Sequence, residues 1–322
     1  MLYSWRMAKR ATEGLTERLA AGDRRALARV ISLVEREDPA AKEVLAAIYP
    51  RTGEAVTVGF TGPPGVGKSS IIAKLIRLYR EEGKRVGVVS VDPSSPFSKG
   101  AILGDRIRLS DHFLDSGVFI RSMGSRGHLG GLAGGSRLAA LAMEAAGFDV
   151  VLYETVGVGQ GEVEVASAAD TVVLALQPGS GDAVQALKAG VMEIADVFCV
   201  NKADDPRAKD QKRQVRQMLE IGNELSPNPW TPPIVLTRGD TGEGVDELKR
   251  EIERHREYLK ESGEFEKRRR ESLKSFVLLW ATSRLQKEMR EHLERQDEGT
   301  MERVYRRELD PISASEKIYR EV

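Results

Sequence analysis

Residues 56–70 read V-T-V-G-F-T-G-P-P-G-V-G-K-S-S. A β-branched apolar run ends at Thr61. A glycine-rich loop follows from Gly62 through Pro63, Pro64, Gly65 and Val66 to Gly67. Lys68, Ser69 and Ser70 then open a helical pattern of Ile71, Ile72, Leu75, Ile76 and Leu78. Strand, G-x-x-x-x-G-K-[ST] and helix in that order make a phosphate-binding loop. Glycines let backbone N–H groups curl around an anion, and the helix N-terminus adds its positive dipole end. Lys68 is placed for the β- and γ-phosphates, and the Ser69 hydroxyl for Mg²⁺.

Working outward, apolar runs alternate with helical patterns as far as about residue 260. The spacing predicts strands at 56–61, 86–91, 118–121, 149–154, 171–176, 196–201 and 233–237. It predicts helices at 69–82, 135–147, 182–195, 206–225 and 244–261. Several strands, such as T-V-V-L-A-L, are apolar at every position, as expected when helices cover both faces of a sheet. The fold class is therefore α/β, a doubly wound and mostly parallel sheet, with ligands beyond the carboxyl ends of its strands. Residues 1–52 form a helical extension, with Asp23 capping one helix and Asp38-Pro39 starting another. Residues 53–262 form the phosphate-loop domain. Residues 263–322 form a C-terminal helical arm, charged except for a stripe of Leu273, Phe276, Val277 and Trp280, which needs a partner surface.

Composition narrows the function classes. Lys+Arg and Asp+Glu each number 49, so no net charge argues for nucleic acid or an anionic membrane. A single cysteine, Cys199, excludes an internal disulfide and a cysteine-based metal cage, and fits a reducing cytoplasm. No apolar run approaches the ~20 residues of a membrane span, and no secretory signal is evident at the N-terminus. The four histidines show no metal-ligand spacing.

Further polar residues follow strand ends. Asn201-Lys202-Ala203-Asp204 closes the sixth predicted strand. N-K-x-D there suits guanine, because a carboxylate accepts from both N1–H and the exocyclic amine, a pair that adenine does not offer. Asp92 ends the second strand, Glu154 the fourth, and Asp105 lies in a loop. Carboxylates near a phosphate loop suit Mg²⁺ and water positioning. The weaker alternatives are a helix N-cap or turn before Pro93 for Asp92 and an ion pair to a neighbouring helix for Glu154; Asp105 is the least determined by spacing. Gly124 to Gly135, G-S-R-G-H-L-G-G-L-A-G-G, reads as a loop able to close over a ligand or as ordinary surface, with Arg126 or His128 within reach of a γ-phosphate.

The segments G-P-P-G-V-G-K-S, S-V-D-P-S-S-P-F, A-I-L-G-D-R-I-R, R-G-H-L-G-G-L-A, E-T-V-G-V-G-Q-G-E and N-K-A-D occur here in one order. Together they closely resemble the methylmalonyl-CoA mutase-associated GTPases, the MeaB/ArgK family. The resemblance spans about residues 10 to 260 and, more loosely, the C-terminal arm. It implies a homodimeric, Mg²⁺-dependent GTPase that binds GTP and GDP. It further implies a chaperone role in cofactor loading and protection of an adenosylcobalamin-dependent acyl-CoA mutase. By the same resemblance Lys68 holds the β/γ-phosphates, and Ser69 holds Mg²⁺. Asp92, Asp105 and Glu154 form the magnesium and switch carboxylates, and Asp204 reads guanine. Glu154 stands where most GTPases carry the aspartate of D-x-x-G. Asp182, Gln185 and Lys188 match a switch that answers to the mutase.

Two departures stand out. The second guanine-contact loop of the family usually reads Ser-Ala, but here Arg238-Gly239 follows V-L-T, which weakens guanine selectivity unless Gly239 N–H supplies the contact. No glutamine directly follows Gly157; Gln160 lies three residues on. Slow intrinsic hydrolysis is expected. Two other readings remain open: an ATPase or kinase serving amino-acid transport, disfavoured by N-K-A-D, and a nickel or cobalt metallochaperone GTPase, disfavoured by the scarcity of histidine and cysteine.

Overall fold

In the computed structural model, Val56–Thr61 forms β1, buried at all six positions. The described residues are 14–92, 109–124, 131–155, 168–179, 191–225, 228–296 and 298–321. β2 (Val86–Asp92), β3 (Val118–Gly124), β4 (Val150–Thr155), β5 (Thr171–Leu176), β6 (Val197–Val200) and β7 (Ile234–Leu236) complete one sheet. Its order is β3-β2-β4-β1-β5-β6-β7 and every pairing is parallel. The phosphate loop thus leaves the central strand. β4 lies on one side of it, with Glu154 in register with Phe60, and β5 on the other.

Alternation along the strands splits the core into two layers. On one side, Val58, Phe60, Val88, Leu152, Val173 and Cys199 pack with Ile71, Ile72, Leu75, Ile76 and Tyr79 and with Val245, Leu248 and Ile252. The helical members of this layer lie on two helices, Lys68–Glu81 and Val245–Glu261. The intervening strand positions Leu174, Leu176, Phe198 and Val200 point the other way, to Ala208 and Val215 of the helix Ala208–Leu225. The phosphate-loop helix is therefore fixed by side chains that are wholly buried, and trimming Ile72 to alanine removes about 2–5 kcal/mol of stability.

In chain order the helices are α1 (Leu15–Ala20), α2 (Arg24–Glu35), α3 (Pro39–Ile48), α4 (Lys68–Glu81), α5 (Gly131–Ala145), α6 (Ala208–Leu225), α7 (Val245–Glu261), α8 (Glu264–Gln296), α9 (Glu298–Tyr305) and α10 (Pro311–Glu321). Asp23 caps α2 by accepting from Arg25 N at 2.8 Å and Ala26 N at 3.2 Å. Asp38 caps α3 at Ala40 N, 2.9 Å, with Pro39 in the first turn. α2 packs on α5 and is tied to β3 by an Arg121–Glu35 ion pair.

One expectation needs correcting. Gly131 to Gly135 are the first turn of α5, not the end of a loop. Glycine disfavours helix, but here smallness serves packing: a Cβ on Gly135 would lie 3.1 Å from Met123 Cε on β3. Of the expected helix 182–195, residues 180–190 lie outside the described set, and Val191–Ile194 is a 3₁₀ turn.

A polar network ties the start of α8 to the amino ends of the strands. Arg268 donates to Asp196 Oδ1 at 2.8 Å, and Arg269 to both Asp170 oxygens at 3.0 Å. His255 is fully buried beside them, 2.9 Å from Thr171 Oγ1 and 3.3 Å from Asp196 Oδ1. The chain divides into two compact units between Ser272 and Leu273. In the second, α9 and α10 pack on each other, with Lys317 donating to Thr300 Oγ1 and Ala314 and Ile318 buried, whereas Val277, Leu278, Tyr305, Ile312 and Tyr319 are exposed. No described helix is long and apolar enough to cross a membrane.

Candidate functional site

The loop after β1 turns through three glycines at positive φ: Gly62 (134°), Gly65 (77°) and Gly67 (96°). Two of them also have no room for a side chain. A Cβ on Gly62 would lie 2.1 Å from the Ala175 carbonyl oxygen, and one on Gly67 would lie 2.3 Å from Asn201 Nδ2. Gly67 is the N-cap of α4, and no side chain caps that helix. Its first amides are left for an anion. Pro63 and Pro64 occupy the turn between the first two glycines, and Ser70 lies in the first turn of α4. Lys68, buried, donates through Nζ to the carbonyls of Gly62 at 2.6 Å and Pro63 at 3.0 Å, so its ammonium lies within the curve of the loop.

Beside the loop, the Ser69 hydroxyl donates to Glu154 Oε1, and the other carboxylate oxygen lies 3.5 Å from Ser90 Oγ on β2. Ser69 and Glu154 are each only 4% exposed. A buried carboxylate beside a buried hydroxyl is a pair of hard oxygen donors of the kind that suits Mg²⁺. Asp92 ends β2, the strand next to Glu154, but its side chain lies outside the described residues. So do Asp105, Asp182, Gln185 and Lys188, together with Arg126, His128 and Gln160.

The third part is built around Asn201, 3% exposed at the end of β6. Its Nδ2 donates to the Val66 carbonyl in the phosphate loop at 2.8 Å. Its Oδ1 accepts from Gly239 N at 2.9 Å and from the Thr237 hydroxyl at 3.2 Å. One amide thus joins the phosphate loop to the loop after β7, and Gly239 N–H, expected for a base, is engaged by Asn201. Lys202 adopts a left-handed backbone, φ 58°, and its ammonium donates to Gln177 Oε1 at 2.5 Å. Asp204 is 59% exposed at the side chain, with Arg238 Nε 3.7 Å from its Oδ1. Behind this corner, burial pushes the Cys199 thiol up to about 12, so it stays protonated and packs as a small core group against Thr237 Oγ1.

The structure therefore brings Lys68, Ser69, Glu154, Asn201, Lys202, Asp204, Arg238 and Gly239 to the carboxyl ends of the strands. Sequence reasoning passed over Thr237, Ser90 and Gln177. Thr237 and Gln177 each follow the last residue of a strand, and Ser90 is in register with Glu154. Position at the carboxyl edge was the available signal for all three.

Comparison with known proteins is consistent with this geometry. The family model described as "Methylmalonyl Co-A mutase-associated GTPase MeaB" matches residues 27–294. A putative GTPase of Pyrococcus horikoshii is 46% identical over 309 residues, covering 96% of this chain and 97% of that protein. The mitochondrial methylmalonic aciduria type A homolog of Mus musculus is 32% identical over 312 residues, covering 87% and 73%. A crystal structure of an LAO/AO transport system kinase superposes with a TM-score of 0.68 at 28% identity, covering 96% and 97%.

Proposed function

The chain belongs to the methylmalonyl-CoA mutase-associated GTPase family MeaB, and on that premise we propose that it couples GTP hydrolysis to the service of an adenosylcobalamin-dependent acyl-CoA mutase. In this reading the protein is a chaperone that gates cofactor loading and protects the loaded mutase. It acts in the cytoplasm as a homodimer. The observation that carries it is the match of the family model across the phosphate loop, Glu154 and the N-K-A-D corner together, in a family defined by association with that mutase.

The site supports a division of labour. The loop amides and the α4 N-terminus bind phosphate oxygens, and Lys68 Nζ adds a positive charge that stabilises the transferring phosphoryl group. Ser69 and Glu154 would hold Mg²⁺, which when bound neutralises charge on the β- and γ-phosphates. Asp204 reads the guanine edge, and Asn201 holds the two loops at a fixed separation while it does so. Asp92 and Asp105 would complete the switch carboxylates, and Asp182, Gln185 and Lys188 would respond to the mutase. The exposed apolar residues of the second unit, Val277 and Leu278 among them, support a dimer surface.

The transport-kinase reading is supported only by the name given to a similar structure, whereas N-K-A-D favours guanine over adenine. The test is affinity capture from native lysate with and without a non-hydrolysable GTP analogue. An adenosylcobalamin-dependent mutase should be recovered in amounts that change with the analogue. Recovery of transporter subunits in its place would transfer the chain to the other reading.

A further inference from the structure

The backbone of the loop after β7 is held on both sides of Arg238. Its N–H donates to the Glu243 carbonyl at 2.8 Å, and its own carbonyl accepts from Gly242 N at 2.7 Å. Gly239 sits against the first turn of α4, where an added Cβ would lie 3.1 Å from Ser70 Cβ. The base of the Arg238 side chain is therefore fixed relative to both the phosphate loop and Asn201. From there the guanidinium enters a group of three carboxylates. One terminal nitrogen lies 3.4 Å from Asp240 Oδ2, the other 3.8 Å from Glu243 Oε2, and Nε lies 3.7 Å from Asp204 Oδ1. Nε is shielded from solvent and has no hydrogen-bond acceptor among the described residues.

The three carboxylates differ in what else holds them. Asp240 has its carboxyl held below the usual range, first by the Thr241 N–H and also by Arg238. Asp204 has no described side-chain neighbour of opposite charge except Arg238. Its loop backbone is set by Ala203 N donating to the Thr237 carbonyl at 3.0 Å, but the carboxylate itself is largely in water. A carboxylate in water samples several rotamers, and ordering it at a ligand costs free energy. A fixed cation beside it removes part of that cost in advance.

We infer that Arg238 is the positioning residue for Asp204. It holds the base-reading carboxylate toward the β7 loop, while Asp240 and Glu243 hold its two terminal nitrogens. The inference rests on the reading that Asp204 recognises guanine, and it goes further by assigning guanine selectivity to a charged pair. Such a pair is partly exposed, so salt weakens it. The Arg-Gly loop then holds the carboxylate by a long cation, and the departure at 238–239 is no loss of selectivity.

The experiment is calorimetric titration of the full chain with GDP, IDP and ADP at about 0.05 M and about 0.5 M salt. IDP keeps N1–H and lacks the exocyclic amine, so it reports how well both carboxylate oxygens are aimed. The variants are Arg238→Ala, Arg238→Gln, Asp204→Asn and the Arg238→Ala/Asp204→Asn double. Arg238→Ala is expected to weaken GDP about fourfold, IDP about twofold and ADP not at all, with the loss smaller at high salt. Arg238→Gln keeps a planar donor without charge. It should fall between wild type and alanine and lose the salt dependence. In the Asp204→Asn background, Arg238→Ala should change GDP affinity less than about twofold. Equal weakening of all three nucleotides, or a full Arg238→Ala loss on top of Asp204→Asn, overturns the inference. Asp204→Asn alone reports on the underlying reading: an unchanged GDP-to-ADP ratio there removes guanine recognition by Asp204 itself. A changed ratio with an inert Arg238→Ala removes only the positioning role.

Discussion

Asn201→Ala is the substitution that most directly tests how the two loops are held together. The side chain is 3% exposed and makes three hydrogen bonds: to Val66 O at 2.8 Å, from Gly239 N at 2.9 Å and from Thr237 Oγ1 at 3.2 Å. Alanine leaves the Val66 carbonyl and the Gly239 amide without that partner. The Thr237 hydroxyl keeps Cys199 Sγ at 3.0 Å. Two orphaned backbone groups at about 1–2 kcal/mol each, with little from the third contact, give a loss of about 2–4 kcal/mol. The assay is urea unfolding followed by circular dichroism, with GDP affinity measured in parallel. Affinity should fall as well, because the separation of the phosphate and base loops is no longer fixed. Gly67→Ala places a Cβ 2.3 Å from the same Nδ2 and should be less than additive with Asn201→Ala. A loss below about 0.5 kcal/mol with unchanged GDP affinity would refute the account of Asn201 as the brace.

Three other outcomes follow from separate parts of the molecule. Lys68→Ala should reduce GTP hydrolysis by at least about a hundredfold, and Glu154→Ala should slow turnover by more than it weakens GDP binding, both read by phosphate release against calorimetry. Burial holds the His255 imidazole down at about 4, against an ordinary value of 6.5; Asp196, 3.3 Å away, opposes the shift and the Arg268 cation adds to it. The unfolded chain then binds the extra proton first as pH falls, so this group makes stability decline from about pH 6.5 to about pH 4. Between pH 7 and pH 5 the decline amounts to about 2 kcal/mol and should be missing in His255→Gln, measured as the difference between urea midpoints at those two pH values. Val277, 66% exposed on α8, should lie in the dimer surface, so Val277→Asp should give a monomer by light scattering; an undisturbed dimer would place the contact elsewhere.

The sequence disclosed this fold where the signal was local. Strand, loop and helix at Val56–Glu81 are contiguous, and the loop glycines occupy backbone conformations that other residues rarely adopt. Asp23 was legible as a cap and Asp38-Pro39 as a helix start for the same reason, since each aspartate acts two or three residues along. Contacts between distant residues were not legible. Only the family resemblance put Ser69 and Glu154 together, at one Mg²⁺, and nothing near Asp196 in the chain indicates that Arg268 will dock on it. Asn201 was read only as a nucleotide contact, because its bond to Val66 requires knowing that β5 alone separates β6 from β1. Gly131–Gly135 was read as loop because propensity disfavours glycine in helices, whereas close packing against β3 favours small residues.

The central claim is that this GTPase serves an adenosylcobalamin-dependent mutase, and the most direct measurement is its steady-state GTP hydrolysis titrated with purified methylmalonyl-CoA mutase. The account predicts a saturable rise in rate that is absent in Lys68→Ala and accompanied by a complex on gel filtration. A rate that stays flat at every mutase concentration, with no complex in the presence of either GDP or a non-hydrolysable GTP analogue, would contradict it.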